Sequence, residues 1–158
     1  MKFIVLAILA ILIVVFYIRQ QNHAKIIKSN QLLGQDFLAN NAQQQGVVST
    51  SSGLQYLILE NRGKSAKPSA SSTVTVHYHG SLLNGLVFDS SVERAQPAQF
   101  PLGQVIRGWT EGLQLMHEGD KYRFFIPSHL AYGERSIASI PAGSTLIFEV
   151  ELLSIDTP

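Results

Sequence analysis

Three hydrophobic patterns follow one another along the chain. The first, Phe3 to Ile18, is unbroken apolar sequence with Lys2 before it and Arg19 after it. As a helix it spans roughly 24 Å, a little short of a hydrocarbon core of about 30 Å. Snorkelling by the flanking Lys2 and Arg19, with some local thinning, makes up the difference. Nothing in the run is amphipathic, so it reads as a membrane segment and not as one side of a core. Phe16-Tyr17-Ile18-Arg19-Gln20 lacks the small residues that a cleavage site needs, which favours an uncleaved signal anchor over a removed signal peptide. A short tail led by one lysine points to export of the globular part, against the excess of Arg19, Lys25 and Lys28 on the far side.

The second pattern is an intermittent stripe. Between His23 and Gln45 the chain is rich in Gln, Asn and Ala, with Ile26, Ile27, Leu32, Leu33, Phe37 and Leu38 at irregular helical spacing. It predicts a helix ending before Gly46 and weakened at Gly34. Such a stripe can dock on a following domain, pair with a second copy, or space the domain from a membrane. Residues 47–53 read as a connector.

The third pattern is alternation. Leu54 to Glu60 reads as a strand, Asn61 to Lys64 as a turn and Ser65 to Ser72 as a Ser/Pro-rich loop. In Thr73 to Gly80, alternation places Val74, Val76 and Tyr78 inward, with Thr73, Thr75, His77 and His79 outward. Asn84-Gly85 marks a hairpin before Leu86 to Ser91. A short strand is expected around Phe100. Lys121 to Pro127 alternates with Tyr122, Phe124 and Ile126 on one face, and Thr145 to Leu153 with Leu146, Phe148, Val150 and Leu152 inward. Ser128 to Gly133 is a tight turn and Glu134 to Ser144 a loop. Between the strands Ile106, Trp109, Leu113 and Met116 recur at spacings of three and four, so a short helix follows Pro101 and Gly108 and stops at Gly119-Asp120. A lone helix among strands must bury its apolar side on the sheet. Trp109, the largest hydrophobe in the chain, then points into the interior or floors a pocket. The fold class is α+β, an antiparallel half-barrel sheet wrapped around one short helix. The expected divisions are a signal anchor over 1–19, a helical linker over 20–52 and a globular domain over 53–158.

Composition adds mainly exclusions. The formal net charge is +1, so nothing points to nucleic acid as a partner. There is no cysteine, which rules out disulfides, thiol catalysis and thiolate metal sites. His77 and His79 share a strand face, but no third ligand lies near, and they read as solvated; His117 and His129 read as isolated surface residues. There is no phosphate loop and no serine elbow, and no metal or cofactor is expected. Asp89 directly follows Phe88 on a strand that otherwise reads apolar. Its carboxylate is either solvated at the strand end or held by a cation, for which Arg94 stands five residues on.

Five motifs come in order: Val76-His77-Tyr78-His79-Gly80, Val87-Phe88-Asp89-Ser90-Ser91, Phe100 to Trp109, Ala131-Tyr132-Gly133-Glu134-Arg135, and Leu146 to Leu153. Together they closely resemble the FKBP-type peptidyl-prolyl cis-trans isomerases, from about Gly53 to Ile155. The preceding Phe37 to Tyr56 resembles the segment before the catalytic domain in the Mip-like bacterial branch, whose longer helical dimerisation region is represented here only by its end. The resemblance implies an active site between helix and sheet. Tyr78, Asp89 and Tyr132 would be catalytic, with Phe88, Arg94, Phe100, Val105, Ile106, Trp109, Ile140 and Phe148 binding substrate. It also implies proline-containing polypeptides as substrates, and the macrolides tacrolimus and rapamycin as pocket ligands. A dimer would form through residues 23–45. The setting implied is the bacterial inner membrane, crossed once, with the catalytic domain in the periplasm. Two places depart from the family pattern. The loop from Glu134 to Gly143 is about one residue short, with Ser136-Ile137 where glycines are common and Ala142 after Pro141. Arg107 stands where bacterial members often have proline. A membrane-tethered chaperone that holds unfolded chains in the same cleft is the alternative, and a purely structural domain with a filled core a third.

Overall fold

The computed structural model describes residues 2–63 and 66–156, so Lys64 and Ser65, at the end of the expected turn and the start of the Ser/Pro-rich loop, lie outside the described residues. Among the described residues two α-helices and seven strands are formed: α1 (Lys2–Asn41), β1 (Val47–Ser49), β2 (Gln55–Glu60), β3 (Thr73–Leu82), β4 (Val87–Ser90), β5 (Ala98–Pro101), α2 (Arg107–Leu113), β6 (Lys121–Ile126) and β7 (Leu146–Asp156). The strands make one antiparallel sheet in the order β1-β2-β6-β7-β3-β4, with β5 pairing β3 beside β4.

The longest ladder is β3 against β7, ten registered pairs from Thr73↔Asp156 to Leu82↔Leu146. The expected alternation holds on both strands. Val74, Val76 and Tyr78 are buried from β3, and Leu146, Phe148, Val150 and Leu152 from β7. The other edge of β3 is shared. β5 pairs its first half (Thr73↔Pro101 to Val76↔Ala98) and β4 its second (His79↔Ser90, Gly80↔Asp89). That split brings Phe100 and Asp89 to the same strand, on either side of Tyr78. The Asn84-Gly85 turn closes the β3–β4 hairpin with Gly85 at φ +86°, the left-handed conformation glycine adopts without a Cβ clash.

Helix α2 is shorter than the apolar spacing suggests. It ends at Leu113, and Met116, fully buried, belongs to the turn after it. Gly108 does not precede the helix but lies inside it. A Cβ there would come within 2.5 Å of Ile126, and one on Gly112 within 2.7 Å of Phe124. The two glycines let the helix backbone rest on β6, which seats Trp109 and Leu113 in the core. Asp120, fully buried, caps the return to β6 by accepting backbone N–H groups of Arg62, Gly63 and His117 at 2.8–3.0 Å. Burial alone would raise its pKa, but these donors and the nearby His117 outweigh it and hold the carboxyl below its ordinary value.

Two expectations change at the amino-terminal side. Val47–Ser49 is not a bare connector but an edge strand, registered Val47↔Leu57 to Ser49↔Gln55. The apolar run and the stripe after it form one continuous helix that ends at Asn41. Its first part stands free of the domain, with Phe3 to Ile18 exposed. Its last turns dock. Ile27, Asn30, Gln31, Gly34, Phe37, Leu38 and Asn41 are the less exposed positions, and their spacing of three and four marks one helix face. Phe37 lies 5.9 Å from the ring of Phe125, which explains why Phe125 is buried although it points away from the half-barrel interior. Asn41 donates to the Gln55 side chain at 2.8 Å, and Gln55 donates back to the Leu38 carbonyl at 2.9 Å.

Candidate active site

Trp109 is the centre around which the cleft is built. Tyr78 of β3, Phe100 of β5 and Phe148 of β7 all meet its ring edge-on, with centroids 5.4, 5.4 and 5.3 Å away and planes at 82°, 87° and 81°. Phe88 of β4 meets Phe148 in the same way at 5.3 Å. Edge-to-face packing of this kind suits the aromatic quadrupole and fixes each ring by its neighbours. The result is a cleft of about 440 Å³ with an apolar, rigid wall. The indole Nε1 at its floor is buried and has no hydrogen-bond partner among the described residues.

Val105 and Ile106 form one side of the cleft. Ile106 sits just before α2 in an extended conformation, and its carbonyl accepts the Trp109 and Thr110 N–H groups at 2.9 and 3.1 Å. Its own N–H has no acceptor among the described residues, and neither does the Tyr132 hydroxyl proton. Both lie at the cleft, so both are donors available to a bound chain.

The polar end is a three-residue cluster. The Tyr78 hydroxyl donates to one Asp89 oxygen and Arg94 Nη1 donates to the other. Arg94 Nη2 donates to the Tyr78 hydroxyl oxygen at 3.1 Å, and its guanidinium lies 5.8 Å from the Tyr78 ring centre. Burial alone would raise the Asp89 pKa, but the Tyr78 and Arg94 hydrogen bonds and the Arg94 charge outweigh it, so the carboxyl is held below its ordinary value. Tyr78 moves the other way. Burial and then its hydrogen bond to Asp89 raise its pKa. The pair is therefore fixed as carboxylate and neutral phenol across the neutral range.

Of the residues singled out in the sequence, ten line one cleft: Tyr78, Phe88, Asp89, Phe100, Val105, Ile106, Trp109, Tyr132, Ile140 and Phe148. Arg94 does not line it but stands behind Asp89. His77 and His79 are spent on the outer face, each with Nδ1 at 3.0 Å from a serine hydroxyl, Ser91 and Ser90. His129 is exposed yet tied, its Nε2 lying 2.8 Å from the Ser52 carbonyl oxygen. Sequence reasoning missed Gln104, Ile137, Ala138 and Ser139, which also line the cleft. The last three form a tight reversal in which Ile137 and Ile140 exchange N–H···O bonds of 3.0 and 2.8 Å, with Ala138 at φ +48°. An isoleucine on each side of a two-residue turn was the available signal.

A curled antiparallel sheet closed over one short helix, with an aromatic cleft between them and an aspartate at its mouth, defines a domain of the FKBP class. The chain belongs to the FKBP-type peptidyl-prolyl cis-trans isomerase family: that family's profile matches residues 64–153, and the profile of the domain amino terminal to such isomerases matches residues 9–58. It is 57% identical over 129 residues to the FKBP-type peptidyl-prolyl cis-trans isomerase FkpA of Aeromonas hydrophila, covering 82% of this chain and 48% of that one. It is 45% identical over 138 residues to the outer membrane protein MIP of Legionella longbeachae, covering 87% of this chain and 59% of that one. The crystal structure of FkpA from Escherichia coli superposes with a TM-score of 0.90 at 39% identity, covering 95% of this chain and 70% of that one. The chain spans about half the length of the curated relatives it matches.

Proposed function

We propose that this chain is a peptidyl-prolyl cis-trans isomerase that assists the folding of exported or membrane-associated proteins. The observation that carries the reading is the aromatic cleft floored by Trp109, with a fixed carboxylate at its mouth. Rotation about an X-Pro bond is opposed by a barrier of about 18–20 kcal/mol, most of it amide resonance. In the twisted state the carbonyl is less polar and needs less hydration. An apolar pocket that excludes water therefore favours the twisted over the planar amide, and each tenfold in rate requires about 1.4 kcal/mol of that difference. Trp109 takes the proline ring, walled by Tyr78, Phe88, Phe100 and Phe148. The Ile106 N–H and Tyr132 hydroxyl hold the peptide by hydrogen bonds. Asp89, set by Tyr78 and Arg94, orients the substrate carbonyl without taking a proton. Ile140 and Val105 close the rim.

The same reading divides the chain into an anchor over 1–19, a linker over 20–52 and a catalytic domain over 53–158. The exposed apolar helix Phe3 to Ile18 supports membrane attachment, and we place the anchor in a bacterial inner membrane with the domain in the periplasm. Ile26, Leu32 and Leu33, exposed on α1 away from the domain, are the surface for a second copy. Tacrolimus and rapamycin would occupy the cleft in place of substrate. The test is isomerisation of a proline tetrapeptide by the full chain in detergent micelles, with and without rapamycin. Turnover abolished by the drug supports the reading. Drug binding without turnover favours a module that only holds chains, and the absence of both turnover and drug binding overturns the site assignment.

A further inference from the structure

We propose that the docked end of α1 is a clamp that positions the rim of the cleft, with Asn30 as its positioning residue. The proposal deepens the isomerase reading and rests on it for its kinetic readout only. The rim is the segment between Gly133 and Thr145. Its outward reversal carries Ile137 and Ile140 into the cleft, and its return leg, Ala142 to Thr145, leads straight into β7 and Phe148. Within the segment the ties are few: Gly143 N–H to the Gly133 carbonyl at 2.8 Å, Ala142 N–H to the Ser136 hydroxyl at 3.2 Å, the Ser144 hydroxyl to the Pro141 carbonyl at 2.7 Å, and the Ile137–Ile140 pair. Ala138 sits at φ +48°, which costs a non-glycine residue energy that its surroundings must hold in place.

α1 does not touch this turn but packs on the return leg that follows it. Asn30 Nδ2 donates to the Ala142 carbonyl at 2.8 Å, across 112 positions of sequence. A Cβ on Gly143 would lie 2.7 Å from the Ile27 carbonyl oxygen, and a Cβ on Gly34 would lie 2.2 Å from Thr145 Oγ1. Each side thus contributes one glycine to a close approach: Gly143 meets the backbone of the helix at Ile27, and Gly34 meets the side chain of Thr145. Ala142 is fully buried and Thr145 nearly so. The return leg therefore lies between the reversal that lines the cleft, to which it is tied by the Ala142 and Gly143 N–H groups, and α1. Without Asn30 the Ala142 carbonyl is a buried acceptor lacking its side-chain partner, and the reversal bearing Ile140 loses a fixed base. A glycine inside a helix costs helix stability on its own. Its presence at position 34 is accounted for by the close approach.

Exchange of individual backbone amides tests this in the full chain in detergent micelles, read beside tetrapeptide kinetics. In Asn30→Ala, exchange at Ile137, Ile140 and Gly143 should quicken by about fivefold, the loss of one hydrogen bond read through local opening. The core amides of Phe124 and Val150 should not move. KM should rise by about threefold with kcat near its starting value, because the rim contributes binding and the floor and Asp89 are untouched. Asn41→Ala, which removes the other asparagine tie of the helix at the Gln55 side chain, is the control and should leave the rim amides alone. Gly34→Ala should quicken the same rim amides although alanine is the better helix former, and Gly34→Ala with Thr145→Ala should bring them back. Equal quickening in Asn41→Ala, or none in Asn30→Ala, overturns the clamp. A wild-type chain without turnover would sink the isomerase reading and leave the exchange data to decide the clamp.

Discussion

At the scale of single residues the proposed chemistry turns on one carboxylate and the two groups that hold it. Asp89 accepts from Tyr78 and from Arg94, and it is the only carboxylate lining the cleft among the described residues. If it orients the substrate carbonyl as the amide twists, its removal must cost catalysis more than it costs binding of an apolar ligand. Asp89→Leu is expected to lower kcat/KM by about tenfold or more, while rapamycin affinity changes by less than about threefold. Equal losses in both would remove the orienting role. On that reading the same cluster sets the pH profile. Asp89 has its pKa held below the ordinary value of about 3.9, so its contribution is present above that value and is lost as pH falls through the folded pKa. Tyr78 has its pKa raised above about 10, so its neutral hydroxyl persists until pH rises through that higher value. No histidine lines the cleft among the described residues. The kcat/KM of the full chain should therefore be flat from about pH 5 to about pH 9, and a bell centred near neutrality would mean that proton transfer is part of the reaction. Asp89 stood out in sequence as a carboxylate following Phe88 on an apolar strand, but the residues left it open whether it was solvated or held, and only the family resemblance gave it a place in the site. Ala138 and Ser139 were not legible, since they reach the cleft through a left-handed turn that no periodicity announces.

At the scale of elements, every strand but β1 was legible, and on β6 the pattern showed only one of its two covered faces. β3 and β7 bury the residues their period of two selects. β1 has only three residues at the sheet edge, too few for a pattern. Phe125 reads as outward on β6 because a sequence window cannot see that α1 covers that face. Helix α2 is the sharper case. Its apolar spacing picked out Trp109, Leu113 and Met116, all buried, and the half-buried Ile106 at its start, but Gly108 read as a boundary, whereas it is where the helix touches Ile126. Gly108→Ala sets two effects against each other: alanine gains up to about 1 kcal/mol of helix propensity, while a Cβ 2.5 Å from Ile126 overpacks the core at a cost of about 1–3 kcal/mol. The contact should win. Urea unfolding is expected to report a net destabilisation, and since Trp109 is the next residue, its fluorescence should shift with it. A stabilised variant would mean that the helix leaves room for a methyl group between Gly108 and β6.

At the scale of the whole molecule, one helix carries two unlike surfaces. Over its 40 residues α1 extends about 60 Å. Its last turns are bound to the domain through Asn30, Phe37 and Asn41, and its apolar positions from Phe3 to Ile18 stand exposed. An exposed apolar surface of that size far exceeds what a folded chain leaves in water without a partner. Burial recovers roughly 25 cal/mol per Å² of it, so association with lipid should be strong and should not depend on salt. The full chain is expected to float with neutral phosphatidylcholine vesicles in a density gradient and to resist high-salt washing. The variant lacking residues 3–18 should stay in the aqueous fraction. Because the deletion stops well short of Ile27 and leaves the docked turns in place, its kcat/KM should stay within about twofold of the full chain. The sequence made this division legible, since the apolar run and the polar-flecked stripe after it differ in composition. It could not say that both are one rod, because continuity of a helix across a change of environment leaves no mark in periodicity. Flotation lost with activity kept would establish that membrane attachment and the cleft are separable. Activity lost along with flotation would mean that the free part of α1 also supports the fold, although only its last turns pack against the domain.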